Sequence, residues 1–202
     1  MEAQSDHKIL DEKQSLEIIK ATIQTSKRLL KDDGLLLICW GFALSLEGFW
    51  KYYKETVLTA WWMRDLMLVI QIAVGIALIG LTAYFIFFRR KKVTTYTSIS
   101  TRFVWIGVIL AHNMIVMITK NILSEINFTL LHPLQLVLIG FALFVSGGIY
   151  RYYYLSVSGM LMWVAAVIAA NYQLTDQLLV RAIAMVICFI IPGVLMYSTS
   201  KN

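Results

Sequence analysis

Glu47, His112 and Arg181 each interrupt an otherwise apolar stretch of this 202-residue chain. A charge at the centre of a bilayer costs about 2.5–3.5 kcal/mol on insertion scales, so each such group needs a partner or a wet cavity. Their depths follow from the helical rise. Glu47 lies ~9 Å inside one end of its apolar run, and Gln71 and Arg181 lie ~8 Å and ~5 Å inside the same face. Lys120 and Gln135 fall near that face as well, while His112 and Asn113 sit close to the middle of theirs. Gathered together, Glu47, Gln71, His112, Asn113, Lys120 and Arg181 would form a polar binding site open to one side. Glu47 would pair with Arg181 or with Lys120, and His112 and Asn113 would form the floor. Such a site suits a small solute or a lipid headgroup, and desolvated Glu47 and His112 could exchange protons. The competing expectation is purely structural. There Glu47–Arg181 ties two helices together, and Gln71, Asn113 and Gln135 make interhelical hydrogen bonds of ~0.6 kcal/mol each.

Other chemistries find little support. The sequence contains no HExxH, no GxSxG and no glycine-rich phosphate loop, so catalytic residues are not expected. His7, His112 and His132 fall in three different settings without zinc-ligand spacing, and Cys39 and Cys188 lie singly inside apolar runs. No metal or cofactor is expected. Asn127-Phe128-Thr129 matches a glycosylation sequon, a triplet common by chance. The polar groups cluster toward one half of the apolar runs, which argues against an open ion channel, since that needs a wettable route along its whole length.

The elements that carry these residues follow from composition. Apolar residues make up 59% of the chain and charged ones only 15%, against about 45–50% and about 25% in soluble domains. A soluble enzyme, a disordered chain and a disulfide-stapled secreted domain are thereby excluded. A membrane-crossing helix needs ~20 mostly apolar residues. Six segments qualify, at about 34–53, 66–88, 103–121, 133–150, 155–171 and 178–197. They leave short connections and no second folded domain in 34–202. Lys and Arg set the orientation. Thirteen lie on one side (Lys8, Lys13, Lys20, Lys27, Arg28, Lys31, Arg89, Arg90, Lys91, Lys92, Arg102, Arg151, Lys201) and five on the other (Lys51, Lys54, Arg64, Lys120, Arg181). Both termini are therefore expected in the cytoplasm, in an inner (plasma) membrane. Trp50, Trp61, Trp62 and Tyr172 would anchor the outer interface, and Tyr96, Tyr150, Tyr152, Tyr153 and Tyr154 the inner one. No apolar run precedes Leu35, so no signal peptide is expected.

The first 33 residues form a polar cytoplasmic head. Leu16, Ile19, Ile23 and Leu30 recur at helical steps, and Asp11 with Gln14 resembles a capping box, so an amphipathic helix is expected over 12–31. Its basic face suits an anionic membrane surface, a protein partner or its own copy in a homo-oligomer. The cluster is small and mixed with acids, so nucleic acid is not expected. The run Ser15-Leu16-Glu17-Ile18-Ile19-Lys20, followed by Lys27, Lys31, Gly34 and Trp40-Gly41, resembles the opening of uncharacterised bacterial polytopic inner-membrane proteins. The resemblance covers about the first 50 residues. It implies a bacterial membrane location and carries no activity.

Within the apolar runs, Gly41-Phe42-Ala43-Leu44 recurs as Gly140-Phe141-Ala142-Leu143, and Trp50-Lys51-Tyr52-Tyr53 echoes Tyr150-Arg151-Tyr152-Tyr153. Three helices per unit would make an inverted repeat of the kind transporters use, although the other helices show no matching echo. Gly75, Gly80, Gly140, Gly147, Gly148 and Ala165, Ala166, Ala169 and Ala170 are expected to permit close helix approach. Pro133 suits a first helical turn, and Pro192 frees the carbonyl of Cys188 and should kink its helix. The expected architecture is all-α: a six-transmembrane-helix bundle behind an N-terminal amphipathic cytoplasmic helix. Two function classes fit it, a binding or transport protein with an outward-facing polar pocket and a structural or regulatory subunit whose head docks a partner.

Overall fold

A computed structural model of the chain describes residues 32–56, 61–84, 96–123 and 127–199; of α2, the side chains at 61–65, 67, 68 and 71 are also outside the described part. The expected head helix over 12–31, the basic cluster Arg89–Lys92 and Lys201 lie outside the described residues. Everything described is helix or short turn. In chain order the elements are α1 (Asp32–Thr56), α2 (Trp61–Tyr84), α3 (Tyr96–Leu123), α4 (Phe128–Tyr150), α5 (Tyr153–Ala170), α6 (Leu174–Met185), a π-helical turn (Val186–Ile190) and α7 (Ile191–Thr199). The last three elements form one continuous span. Among the described residues five helices are long and apolar enough to cross a membrane: α1, α3, α4, α5 and the last span. The second expected span falls on α2, whose described apolar stretch, Ile72–Tyr84, is shorter than a crossing needs.

α4 begins earlier than hydropathy implies, because a polar residue caps it. Asn127 caps α4: its side chain accepts a hydrogen bond from the N–H of Leu130 at 3.1 Å. That is the ordinary service of an Asn at this position, and it gives the sequon asparagine a structural task. Pro133 therefore stands inside α4 rather than in its first turn. α4 and α5 are joined by Arg151 and Tyr152 alone. The N–H of Arg151 donates to Gly148 O at 3.2 Å and that of Tyr152 to Gly147 O at 2.9 Å, the paired bonds of a Schellman motif. Arg151 holds a left-handed backbone (φ 53°) to make them, in a position usually given to glycine.

Packing is uneven around the bundle. The buried core joins α4, α5 and the last span, with Leu136, Leu143, Leu155, Met162, Met185, Phe189 and Met196 at its centre and Leu37, Trp40, Leu44 and Trp105 against it. Half of the last span's most apolar window is buried, against 6% of that of α3. α2 and α3 thus present most of their surface outward, as a lipid-facing helix does.

Lipid tails give no hydrophobic drive between helices, so close approach through small residues carries the packing. Two seams use it. α1 places Gly34, Gly41 and Gly48 at seven-residue intervals, on one face, against the antiparallel last span. A Cβ on Gly41 would lie 2.5 Å from Cβ of Phe189, one on Gly48 2.8 Å from Cβ of Ala182, and one on Gly34 2.9 Å from the carbonyl of Gly193. The second seam runs between α4 and α5, where a Cβ on Gly140 would meet the Gly159 carbonyl at 2.9 Å and one on Gly147 would meet the Ser156 amide nitrogen at 2.5 Å. The echoed Gly41 and Gly140 therefore do the same job against different neighbours. Gly75, Gly80 and Gly148, also expected at contacts, have nothing within 4 Å of where a Cβ would stand. Ala166 and Ala169 are buried, but Ala170 is exposed.

The last span is interrupted where the proline implies. The π turn Val186–Ile190 precedes Pro192 and contains Cys188, whose carbonyl the proline ring cannot bond. Phe189 of this turn packs edge-on against Trp105 of α3 with ring centroids 6.1 Å apart.

Candidate binding site

The seam between α1 and α6 sets the site. Where Gly48 lets α1 approach Ala182, the neighbouring side chains Glu47 and Arg181 meet: Arg181 Nη2 donates to Glu47 Oε2 at 3.2 Å. The other carboxylate oxygen, Glu47 Oε1, accepts from Lys51 Nζ at 2.6 Å one turn along α1. Arg181 is buried, with a side-chain exposure of 4%; that of Glu47 is 22% and that of Lys51 38%. The cluster therefore opens past Lys51 and Glu47 and closes at Arg181.

One turn before Arg181 on α6 stands Gln177, 1% exposed. Its side-chain nitrogen donates to the carbonyl of Tyr172 in the α5–α6 connection at 3.0 Å. A carbonyl can only accept, so the amide orientation is fixed and Oε1 faces the other way. That oxygen has no hydrogen-bond partner, and neither does Nε of Arg181. Two buried groups of opposite hydrogen-bonding character are left open on one helix, each at a desolvation cost of about 1–3 kcal/mol if nothing fills it. His132 of α4, buried with Phe128 stacked on it (centroids 6.2 Å), lies close enough to Arg181, Lys51, Glu47 and His112 to feel their charges. His112 of α3, half-buried, feels Arg181 as well.

The expected site residues divide accordingly. Glu47 and Arg181 form the centre, and the partner of Glu47 is Arg181 together with Lys51. His112 borders the cluster. Asn113, next in the chain, is exposed, and its amide donates to the Ile109 carbonyl of its own helix at 2.8 Å. Lys120 is exposed near the end of α3, and Gln71 lies in α2 with its side chain outside the described residues. Lys51, His132 and Gln177 were not among the expected residues. The signal for Gln177 was its spacing, four residues before a buried arginine and so on the same face. Among the described residues no group of three or more His, Cys, Asp or Glu could hold a metal ion.

A second polar cluster occupies the opposite end of the bundle. The phenol of Tyr150, at the end of α4, donates to Asp33 Oδ2 of α1 at 2.5 Å. Asp32 and Ser98 are buried there too. Further along α1, Trp40 Nε1 donates to Thr82 Oγ1 of α2 at 3.0 Å. This end contains a tight charge-assisted bond between helices, and it too leaves buried groups open, Arg102 Nε and the Tyr152 hydroxyl. No family model matches the chain, and neither a curated protein nor a solved structure does.

Proposed function

We propose that this is a six-helix inner-membrane protein, termini in the cytoplasm, which binds a small solute or a lipid headgroup at Glu47, Arg181, Gln177 and His132 from the outer side, as a binding or transport protein. Support for the sixth span comes from α2, whose helix is long enough although part of it is undescribed. The orientation rests on the excess of Lys and Arg at the Asp33 end. One observation carries the binding reading: a buried cation, Arg181, keeps an unfilled donor one helical turn along α6 from the unfilled acceptor of Gln177. Ion pairs kept only for packing satisfy their remaining groups, since each open one is costly. Ionisable groups at this depth mark solute paths more often than they brace helices.

A second reading has an observation of its own. Glu47–Arg181 spans two helices at the tight Gly48–Ala182 contact, so it would also suit a structural subunit whose residues 12–31 dock a partner or a second copy. Thermal unfolding of the purified chain separates the two. Inorganic phosphate, glycine, choline and glucose are the probes, tested on the wild type and on Glu47→Gln, which keeps the size and one acceptor. The binding reading expects at least one probe to raise the wild-type midpoint by several degrees and to leave the variant unmoved. If all four leave the wild type unmoved and Glu47→Gln merely melts earlier, the pair is a brace and the subunit reading replaces it.

A further inference from the structure

The open groups of the site specify more than a polar ligand. Arg181 presents an N–H donor through Nε with Nη2 already held by Glu47, and the flat guanidinium fork suits an oxyanion. Gln177 Oε1 can only accept, so whatever meets it must bring a hydrogen of its own. The charges of Lys51 and Arg181 exceed that of Glu47 by one, so a single negative charge balances the cluster. A carboxylate group by itself meets Arg181 but gives nothing to Gln177. A sugar gives to Gln177 but leaves the positive charge uncompensated. A zwitterion satisfies both atoms and also leaves that charge.

We propose that the site takes an oxyacid group that keeps an O–H while carrying negative charge, the chemistry of inorganic phosphate or of a phosphate monoester: one oxygen accepts from Arg181 Nε, and the remaining hydroxyl donates to Gln177 Oε1. This rests on the binding reading above and narrows it to one ligand class. Free phosphate and the headgroup of phosphatidic acid share this chemistry. Either can enter past Glu47 and Lys51, the partly exposed members of the cluster. Sulfate has nearly the same shape and no proton to give. A site built to hydrogen-bond a hydroxyl rejects the analogue lacking it, because its own buried group is then left unpaired.

The test uses the whole chain in phosphatidylcholine nanodiscs, with calorimetric titration of inorganic phosphate and of sulfate at pH 6.5–7.5. Parallel discs doped with phosphatidic acid test the lipid source by the rise in unfolding midpoint. The wild type is expected to bind phosphate, or to be stabilised by phosphatidic acid, with sulfate weaker than phosphate by on the order of a hundredfold or more. Gln177→Met should bring phosphate and sulfate within about threefold of each other. The wild-type contrast alone decides the matter if that variant fails to fold. A response to free phosphate only makes the ligand a solute, and a response to phosphatidic acid only makes it a lipid; both support the proposal. Equal binding of sulfate and phosphate overturns it, as does no response to either phosphate source. Should glycine, choline or glucose stabilise the wild type through Glu47 instead, the phosphate class is wrong while the site itself stands.

Discussion

Two helix pairs in this protein use glycine to bring backbones together, and they differ in everything else. Between α4 and α5 the small residues are accompanied by bonds to backbone, Trp163 Nε1 donating to the Val137 carbonyl at 3.1 Å and the turn through Arg151 making both its paired bonds, while the buried hydroxyls of Ser146 and Tyr152 stay without partners. Between α1 and the last span the same close approach carries a buried ion pair, two open hydrogen-bonding groups, a π turn and a proline. The first pair leaves only neutral hydroxyls open. The second has unfilled capacity and a broken helix beside it, and π turns inside helices occur often at functional sites. Close packing therefore does not distinguish the two seams, and neither does an open polar group as such; an open group on a buried charge, Arg181, does.

The contrast can be broken most forcefully at Glu47. Glu47→Leu leaves the Arg181 charge buried without its partner and should cost about 3–5 kcal/mol, read as a fall in unfolding midpoint in detergent. A loss under 1 kcal/mol would mean that Arg181 is not buried as a charge. Next comes the seam itself. Gly41→Leu pushes a side chain into Phe189 and should cost about 1–3 kcal/mol, whereas Gly75→Leu, with open space before it, should stay within about 0.5 kcal/mol. Equal effects of the two would show that the α1 seam is not a tight contact. The smallest change sharpens the α4–α5 joint: Arg151→Gly relieves the left-handed backbone and should add about 0.5 kcal/mol, the strain relief being partly offset by a freer unfolded chain. A destabilised Arg151→Gly would show that the arginine side chain, rather than its backbone, matters there.

Most of the helices were legible from hydropathy because a bilayer leaves an apolar run few alternatives. Glu47 and Arg181 were legible for the same reason, as charges that must be matched. The residues that escaped share one position. His132 precedes the expected start of its span at Pro133 by one residue, Gln177 precedes Leu178, and Asp33 precedes Gly34. Hydropathy ends a span at the first polar residue, so a polar group that the fold buries at a helix end is assigned to the loop. Lys51 sits inside its expected span but read as an interfacial charge rather than a partner of Glu47. The α1 glycines were hidden differently, since spacing of seven is inconspicuous unless a partner helix supplies the matching face. Asn113 erred the other way: adjacency to His112 in sequence means a rotation of about 100° around the helix, which takes its side chain out of the cluster.

Glu47 and Arg181 stand 134 residues apart in the chain. That separation governs the order in which the molecule can assemble. α4 meets α5 across a two-residue turn, so this hairpin can form as soon as both helices have been inserted. α1 must wait in the bilayer, its carboxylate matched only by Lys51, until the last span has been synthesised. Closing so long a loop comes late and slowly. Premature termination before Arg181 would leave the acid with Lys51 alone and a bare glycine face exposed to lipid. The Glu47–Arg181 contact thus exists only once nearly the whole chain has been made.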